Sequence, residues 1–92
     1  NSTVPIVVDF YATWCMPCQM MTPIFQKLAQ NFAGKIKFIK VDVVKNKDLA
    51  QKMEIVSVPT FIFIKDGNTI KRVSGARDFD NFKKLVEQTF NS

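Results

Sequence analysis

The feature that most constrains the fold is a pair of cysteines, Cys15 and Cys18, placed between two apolar runs of different period. The run Ile6–Tyr11 is β-branched, aromatic and nearly continuous, which is typical of a central strand covered on both faces. Residues 19–32 have apolar side chains at helical spacing and predict an amphipathic helix. The segment 14–18, WCMPC, therefore lies at a strand-to-helix junction. It holds the only tryptophan and the only two cysteines of the chain.

The whole sequence predicts one α/β domain, residues 1–92, with the element order β-α-β-α-β-β-α. A chain of 92 residues, 47% of them hydrophobic, is enough for one core but not for two. The predicted elements after the first helix are a strand at 36–41, a short helix at 48–53, strands at 60–65 and 69–74, and a helix at 79–90. The first two strands are separated by one helix and should run parallel as a right-handed βαβ unit, and the last two should form a hairpin around Asp66-Gly67-Asn68.

Composition excludes several classes of function. Two cysteines are too few for a disulfide-stapled scaffold. The net charge of +5 comes from basic residues spread along the chain, and without a basic and aromatic recognition pattern we expect no nucleic acid partner. No apolar run approaches the roughly 20 residues of a membrane span, so we expect no membrane partner either.

The cysteine pair has three interpretations. A zinc site needs about four ligands, and one chain with two cysteines and no histidine cannot supply them. A metal or iron–sulfur cluster shared between two chains stays open, as does a structural pair of buried thiols. The third interpretation, which we favour, is redox chemistry, because C-x-x-C beside a βαβ unit is a strong redox signal.

The position of the pair assigns a role to each thiol. Cys15 lies at the expected helix N-terminus, where free N–H groups and the helix dipole stabilise negative charge. We therefore expect Cys15 to be the more acidic, exposed nucleophile. Cys18, one turn further in, should be more buried and suited to resolving a mixed disulfide. Asp9 interrupts the central strand, and a carboxylate there is costly unless it has a partner or a raised pKa.

Several separated motifs then resemble the thioredoxin family. They are residues 11–18 (YATWCMPC), Val8-Asp9-Phe10, Pro23, Lys40-Val41-Asp42, Val58-Pro59-Thr60 and Gly75. The resemblance extends over nearly all of the chain and implies an α/β, thioredoxin-like fold with a central mixed sheet and helices on both faces. The family has a further strand and helix ahead of the position of Ile6, and we expect this chain to be without them. Met16 also stands where the family usually has glycine.

The resemblance implies a set of site residues. Cys15 would be the nucleophile and Cys18 the resolving thiol. Asp9 would transfer a proton to or from Cys18, and Lys40 would tune Asp9. A cis peptide bond before Pro59 would leave the Val58 backbone free to pair with an incoming peptide. The residues expected to bind the partner protein are Trp14, Met16, Pro17, Val58, Pro59, Thr60, Gly75 and Ala76.

The function that follows is that of a protein-disulfide reductase without cofactor or metal. Oxidants and isomerases of the superfamily often have histidine before the second cysteine, whereas this chain has Pro17 there and no histidine. An isomerase or oxidase-like domain and a non-catalytic binding module are the alternatives. The resemblance implies disulfide-containing substrate proteins as partners and a thioredoxin reductase, flavin- or ferredoxin-dependent, as electron donor. We expect a monomer that is cytoplasmic, or organellar if an N-terminal segment is missing.

Overall fold

The order of helices and strands is the predicted one. The computed structural model describes residues 4–90, so the predicted domain, residues 1–92, includes five positions outside the described part. The elements are β1 (Ile6–Tyr11), α1 (Met16–Asn31), β2 (Lys37–Asp42), α2 (Lys47–Lys52), β3 (Thr60–Lys65), β4 (Asn68–Ser74) and α3 (Phe79–Phe90). Their boundaries nearly coincide with those expected from the sequence.

The sheet is mixed, as predicted, and β1 lies inside it. The strand order is β2-β1-β3-β4. β1 runs parallel to β2 and antiparallel to β3, and β3 pairs antiparallel with β4. Since β1 has a neighbour on each side, its backbone polar groups are satisfied within the sheet, and a nearly continuous apolar strand is stable there.

The β3–β4 hairpin has the turn that its sequence demands. Asp66 and Gly67 both have positive φ values, 52° and 80°. Two central residues in the left-handed region define the turn whose twist matches the flanking strands, and aspartate followed by glycine is a favoured pair for it. The predicted turn at Asp66-Gly67-Asn68 is therefore confirmed.

Helices cover both faces of the sheet. On one face, α1 and α3 pack against Val7, Phe61 and Phe63 in the larger apolar cluster. On the other face, Val8, Phe10 and Ile62 form a second cluster, against which the residue after α2, Met53, packs. Within residues 4–90, no helix combines the length and apolar character that a membrane crossing requires.

The amphipathic pattern of each long helix determines which side chains enter the larger cluster. From α1 these are Met21, Phe25 and Leu28, and from α3 they are Phe82 and Val86. Asp78 caps α3, because its carboxylate accepts a hydrogen bond from the Asn81 N–H at 2.8 Å. The helix is thereby held at its first turn while its apolar stripe lies on the sheet.

Phe82 is the centre of the aromatic packing. It is 0% exposed, and its ring lies 4.7 Å from that of Phe61, 6.2 Å from that of Phe63 and 6.5 Å from that of Phe25. The contact with Phe61 is edge-to-face, a favoured geometry for aromatic pairs. One side chain of α3 therefore joins α1 to β3.

Replacing Phe82 should destabilise the protein strongly. Phe82→Ala removes a fully buried ring and leaves a cavity, so we expect the free energy of unfolding in urea to fall by about 3–5 kcal/mol. Phe82→Leu keeps part of the volume and should lose about 2 kcal/mol. Phe32→Ala, which removes a partly buried ring at the edge of the same cluster, is the control. Equal losses for Phe82→Ala and Phe32→Ala would contradict the central role of Phe82.

Candidate functional site

The two cysteines lie at the junction of β1 and α1 and form a disulfide. Cys15 is the N-cap of α1, and its N–H donates a hydrogen bond to the Ala12 carbonyl oxygen at 3.2 Å, which fixes the turn between strand and helix. Cys18 lies in the first turn of α1, and the two Cα atoms are 5.2 Å apart. That separation suits a disulfide without movement of the backbone.

The start of α1 presents a hydrogen-bond donor to the first sulfur. The Cys18 N–H donates to Cys15 Sγ at 3.2 Å. Pro17 occupies the first turn, where the N–H that it lacks would have no partner. The donor and the dipole of a 16-residue helix both stabilise negative charge on Cys15 Sγ when the disulfide is opened.

The two cysteine residues differ little in exposure. Cys15 is 5% exposed and Cys18 is 2% exposed, so the expectation of an exposed Cys15 is wrong for the disulfide state, because both residues are buried. Cys15 Sγ lies 3.8 Å from the Val58 carbonyl oxygen, and Val58 packs against the buried cysteines and Ala12. The loop before β3 therefore covers the disulfide in part, which the sequence did not reveal.

That loop carries the other residues expected at the site. The Val58–Pro59 peptide bond is cis, as the resemblance implied. Pro59 is buried, and Thr60 is 2% exposed with its hydroxyl donating to the Ser57 carbonyl oxygen at 2.7 Å. The Gly75 N–H donates to the Pro59 carbonyl oxygen at 2.9 Å. This bond ties Gly75, and with it the exposed Ala76, to the loop beside the cysteines.

Apolar side chains surround the disulfide on the outside. Trp14 is 73% exposed and Met16 is 68% exposed. A shallow pocket of about 270 Å³ adjoins Trp14 and is lined by Trp14, Val43, Ile55, Val56, Ser57 and Val58. Val56 is 95% exposed. Ile55 and Val56 were missed by the sequence analysis, although their position just ahead of Val58 and Pro59 was a signal for them.

Asp9 is a buried carboxylate on the α1 side of the sheet. It lies two residues after Val7 in β1 and therefore on the same face of the sheet, where the Val7 side chain packs against α1 and α3. It is 0% exposed, and neither carboxylate oxygen has a hydrogen-bond partner among residues 4–90. Burial raises the pKa of Asp9 from 3.8 to about 6, and the positive charge of Lys40 opposes part of that rise.

Lys40 is held beside Asp9 by two residues that the sequence analysis missed. It pairs with Asp9 in the β1–β2 ladder. Its Nζ donates to Thr22 Oγ1 at 3.0 Å and lies 4.4 Å from the centre of the Tyr11 ring. Thr22 Oγ1 in turn donates to the Cys18 carbonyl oxygen at 3.4 Å. The position of Thr22, one helical turn after Cys18, was the available signal.

The arrangement suits thiol chemistry rather than metal binding. In the part of the chain that the structure describes, no three His, Cys, Asp or Glu side chains form a group that could hold a metal ion. The site instead combines a disulfide at a helix N-terminus, a carboxylate with a raised pKa and an apolar surface. These are the parts that disulfide exchange with another protein requires.

Comparison with known proteins agrees with this geometry. The family model for thioredoxin matches residues 1–88. A thioredoxin of Staphylococcus saprophyticus is 40% identical over 82 residues, which are 89% of this chain and 79% of that protein. The chloroplastic thioredoxins Y2 and Y1 of Arabidopsis thaliana are 44% and 45% identical over 92 residues, the whole of this chain. The chain spans about half the length of these two relatives, 53% and 52%.

Asp9→Asn should change how stability depends on pH. The carboxyl of Asp9 has a pKa near 3.8 in the unfolded chain and about 6 in the folded protein, so the folded state binds the proton more tightly. The stability that Asp9 contributes is complete at low pH and is lost as the pH rises through about 6, by about 2–3 kcal/mol near neutral pH. Asparagine has no such dependence.

The measurement is urea unfolding of both proteins in the disulfide state, at pH values from about 4 to 8. The stability of Asp9→Asn relative to the unchanged protein should rise between about pH 4 and 6 and level off above the folded pKa of Asp9, because both states are then ionised. Asp66→Asn, which removes a carboxylate from an exposed turn, controls for net charge. A difference between Asp9→Asn and the unchanged protein that is independent of pH would refute the raised pKa.

Proposed function

The chain belongs to the thioredoxin family, and we propose how its cysteine pair reduces disulfides in partner proteins. It is a thiol–disulfide oxidoreductase of the protein-disulfide reductase type, with Cys15 and Cys18 as the redox pair. The observation that carries the mechanism is the hydrogen bond from the Cys18 N–H to Cys15 Sγ at 3.2 Å. It makes one sulfur of the pair the better thiolate and therefore the attacking one.

The reaction takes two exchange steps. The Cys15 thiolate attacks one sulfur of the partner's disulfide, and the other sulfur leaves as a thiolate that takes up a proton from solvent. This forms a mixed disulfide between Cys15 and the partner. Cys18 then loses its proton and attacks Cys15 Sγ, which releases the second partner sulfur. The Cys15–Cys18 disulfide forms as the partner gains two electrons.

Asp9 is the proposed acceptor for the proton of Cys18. It lies on the face of the sheet that α1 covers, and its carboxylate has no hydrogen-bond partner among the described residues that would compete for a proton. A pKa of about 6 leaves Asp9 mostly ionised at neutral pH, yet basic enough to take up a proton. Lys40, held by Thr22 and Tyr11, limits the rise in that pKa.

The partner protein docks on the apolar surface around the disulfide. We assign direct contact to exposed or partly buried residues, namely Trp14, Met16, Pro17, Val58, Gly75, Ala76 and the pocket residues Ile55 and Val56. Pro59 and Thr60 are buried and act by supporting the Val58 backbone. The Val58 carbonyl oxygen, 3.8 Å from Cys15 Sγ, is near enough to the disulfide to pair with a partner strand during the attack.

The direction of electron flow follows from the residue before Cys18. Pro17 carries no positive charge there, so the Cys15 thiolate receives less stabilisation than it would beside a histidine. A less stabilised thiolate makes the reduced pair a better electron donor. This argument favours the reductase over the oxidant or isomerase.

Several partners follow from the proposed cycle. Reduction of the Cys15–Cys18 disulfide back to the dithiol requires an electron donor. We propose a thioredoxin reductase of the flavin- or ferredoxin-dependent type for this role. The proposed oligomeric state of the protein is a monomer. The sequence predicts a cytoplasmic protein, with location in an organelle as the alternative. The names of the two chloroplastic relatives support that alternative. The N-terminus of the full-length gene product would decide between the two addresses.

Reduction of insulin disulfides by the isolated protein, with a chemical reductant in excess, tests the function. We expect the protein to reduce insulin catalytically. We also expect its reduction potential, measured by equilibration with glutathione, to lie well below that of protein disulfide isomerase, which is about −180 mV. A potential at or above that value would overturn the reductase assignment. Robust partner binding by a variant with both cysteines changed to serine, without insulin reduction by the unchanged protein, would instead indicate a binding module.

Cys18→Ser should trap the mixed disulfide. The variant keeps the attacking Cys15 and lacks the thiol that resolves the intermediate, so a covalent adduct with a disulfide-containing partner should accumulate. Non-reducing electrophoresis of the mixture measures the adduct, and addition of dithiothreitol should release it. Cys15→Ser is the matched control and should form little adduct. Equal adduct yields from the two variants would show that the roles of the cysteines are not distinct.

A further inference from the structure

Two of the four methionines lie exposed beside the disulfide. Met16 is 68% exposed and Met20 is 65% exposed. They are four residues apart on α1, so their side chains are neighbours on one face of the helix. Met16 lies between the cysteines, and Trp14, itself 73% exposed, precedes them. The open face of the first turns of α1 therefore carries two thioethers.

The other two methionines are protected. Met21 is 0% exposed, and its sulfur accepts a hydrogen bond from the Arg77 N–H at 3.4 Å. Met53 is partly buried against the apolar cluster of Val8, Phe10 and Ile62. The chain thus contains two exposed methionines and two protected ones. Their reactivity toward a dissolved oxidant should follow their exposure.

We propose that Met16 and Met20 are a modification site, at which oxidation to the sulfoxide weakens the docking of partner proteins. The oxidant is a hydroperoxide. Its outer oxygen is transferred to the thioether sulfur, and the O–O bond breaks as the S–O bond forms. The proton of the outer oxygen passes to the other oxygen, which leaves as an alcohol or, from hydrogen peroxide, as water. The sulfur loses two electrons and the hydroperoxide gains them, with no other reactant.

The effect on docking follows from the change in polarity. Met16 lies in the surface to which we assigned partner contact, so this inference rests on the proposed function. A thioether is apolar and adaptable, whereas a sulfoxide is polar and must lose hydration when an apolar partner surface covers it. Met20 is one turn further from Cys15, and its oxidation should matter less than that of Met16.

The disulfide state separates this modification from cysteine oxidation. With Cys15 and Cys18 joined, neither sulfur is a thiolate, and the two residues are only 5% and 2% exposed. A hydroperoxide should therefore modify the exposed methionines and leave the redox pair intact. The modified protein can then be reduced and assayed as an oxidoreductase.

The experiment treats the full chain in its disulfide state with hydrogen peroxide, removes the oxidant, and maps added oxygen at each methionine by peptide mass spectrometry. We expect Met16 and Met20 to oxidise at least about tenfold faster than Met21, with Met53 slower than the exposed pair. The KM for insulin disulfides should then rise by about 3–10-fold, with a smaller change in kcat. A mixture of the two stereospecific methionine sulfoxide reductases, supplied with dithiothreitol as the reductant, should reverse the rise.

Variants identify the methionine responsible, each compared with its own untreated sample. Met16→Leu should abolish most of the peroxide effect on KM, whereas Met20→Leu should retain most of it. Oxidation of Met21 or Met53 as fast as the exposed pair, or an unchanged KM after complete modification of Met16, would overturn the inference. Failure of the untreated protein to reduce insulin would overturn the proposed function and the docking effect together, whereas the oxidation map is independent of activity.

Discussion

The pairing of β1 with a strand on each side is the constraint on which the rest of the structure depends. β2 and β3 satisfy its backbone, so its side chains can be buried on both faces. One face directs Val7 and Asp9 toward α1, and the other directs Val8 and Phe10 toward the second cluster. Because β1 leads directly into the turn that ends at Cys15, its position also determines where α1 begins and where the disulfide lies.

Burial of Asp9 links stability to chemistry. The carboxylate of Asp9, which has no hydrogen-bond partner within residues 4–90, destabilises the folded state at neutral pH, since burial holds its pKa near 6. The same raised pKa makes it a useful proton acceptor for Cys18 in the proposed mechanism. The Lys40 ammonium, held between Thr22 and the Tyr11 ring, moderates both effects. Burial of Asp9 therefore lowers the stability of the folded protein at neutral pH, and it also raises the pKa on which the proposed proton transfer depends.

Much of the fold was predictable because its signals are local. The apolar run of β1, the helical spacing in α1 and α3 and the Asp66-Gly67 turn each depend on residues close in sequence. The disulfide and the cis bond before Pro59 also agreed with expectation. The sequence analysis missed the hydrogen bond between Lys40 and Thr22 and the pocket beside Val56. Each depends on segments brought together by the sheet, which no periodicity in the sequence records.

The sequence by itself determined the elements, their order, the cysteine pair at a strand-to-helix junction and the family. Tertiary structure decided how far the site is covered: Cys15 is only 5% exposed, because the loop carrying Val58 lies over it. It also decided that neither carboxylate oxygen of Asp9 has a hydrogen-bond partner among residues 4–90, and that Thr22 and Tyr11 hold the Lys40 ammonium. The physical reason is that burial and electrostatic environment are sums over neighbours distant in sequence, whereas helix, strand and turn propensities act over a few residues.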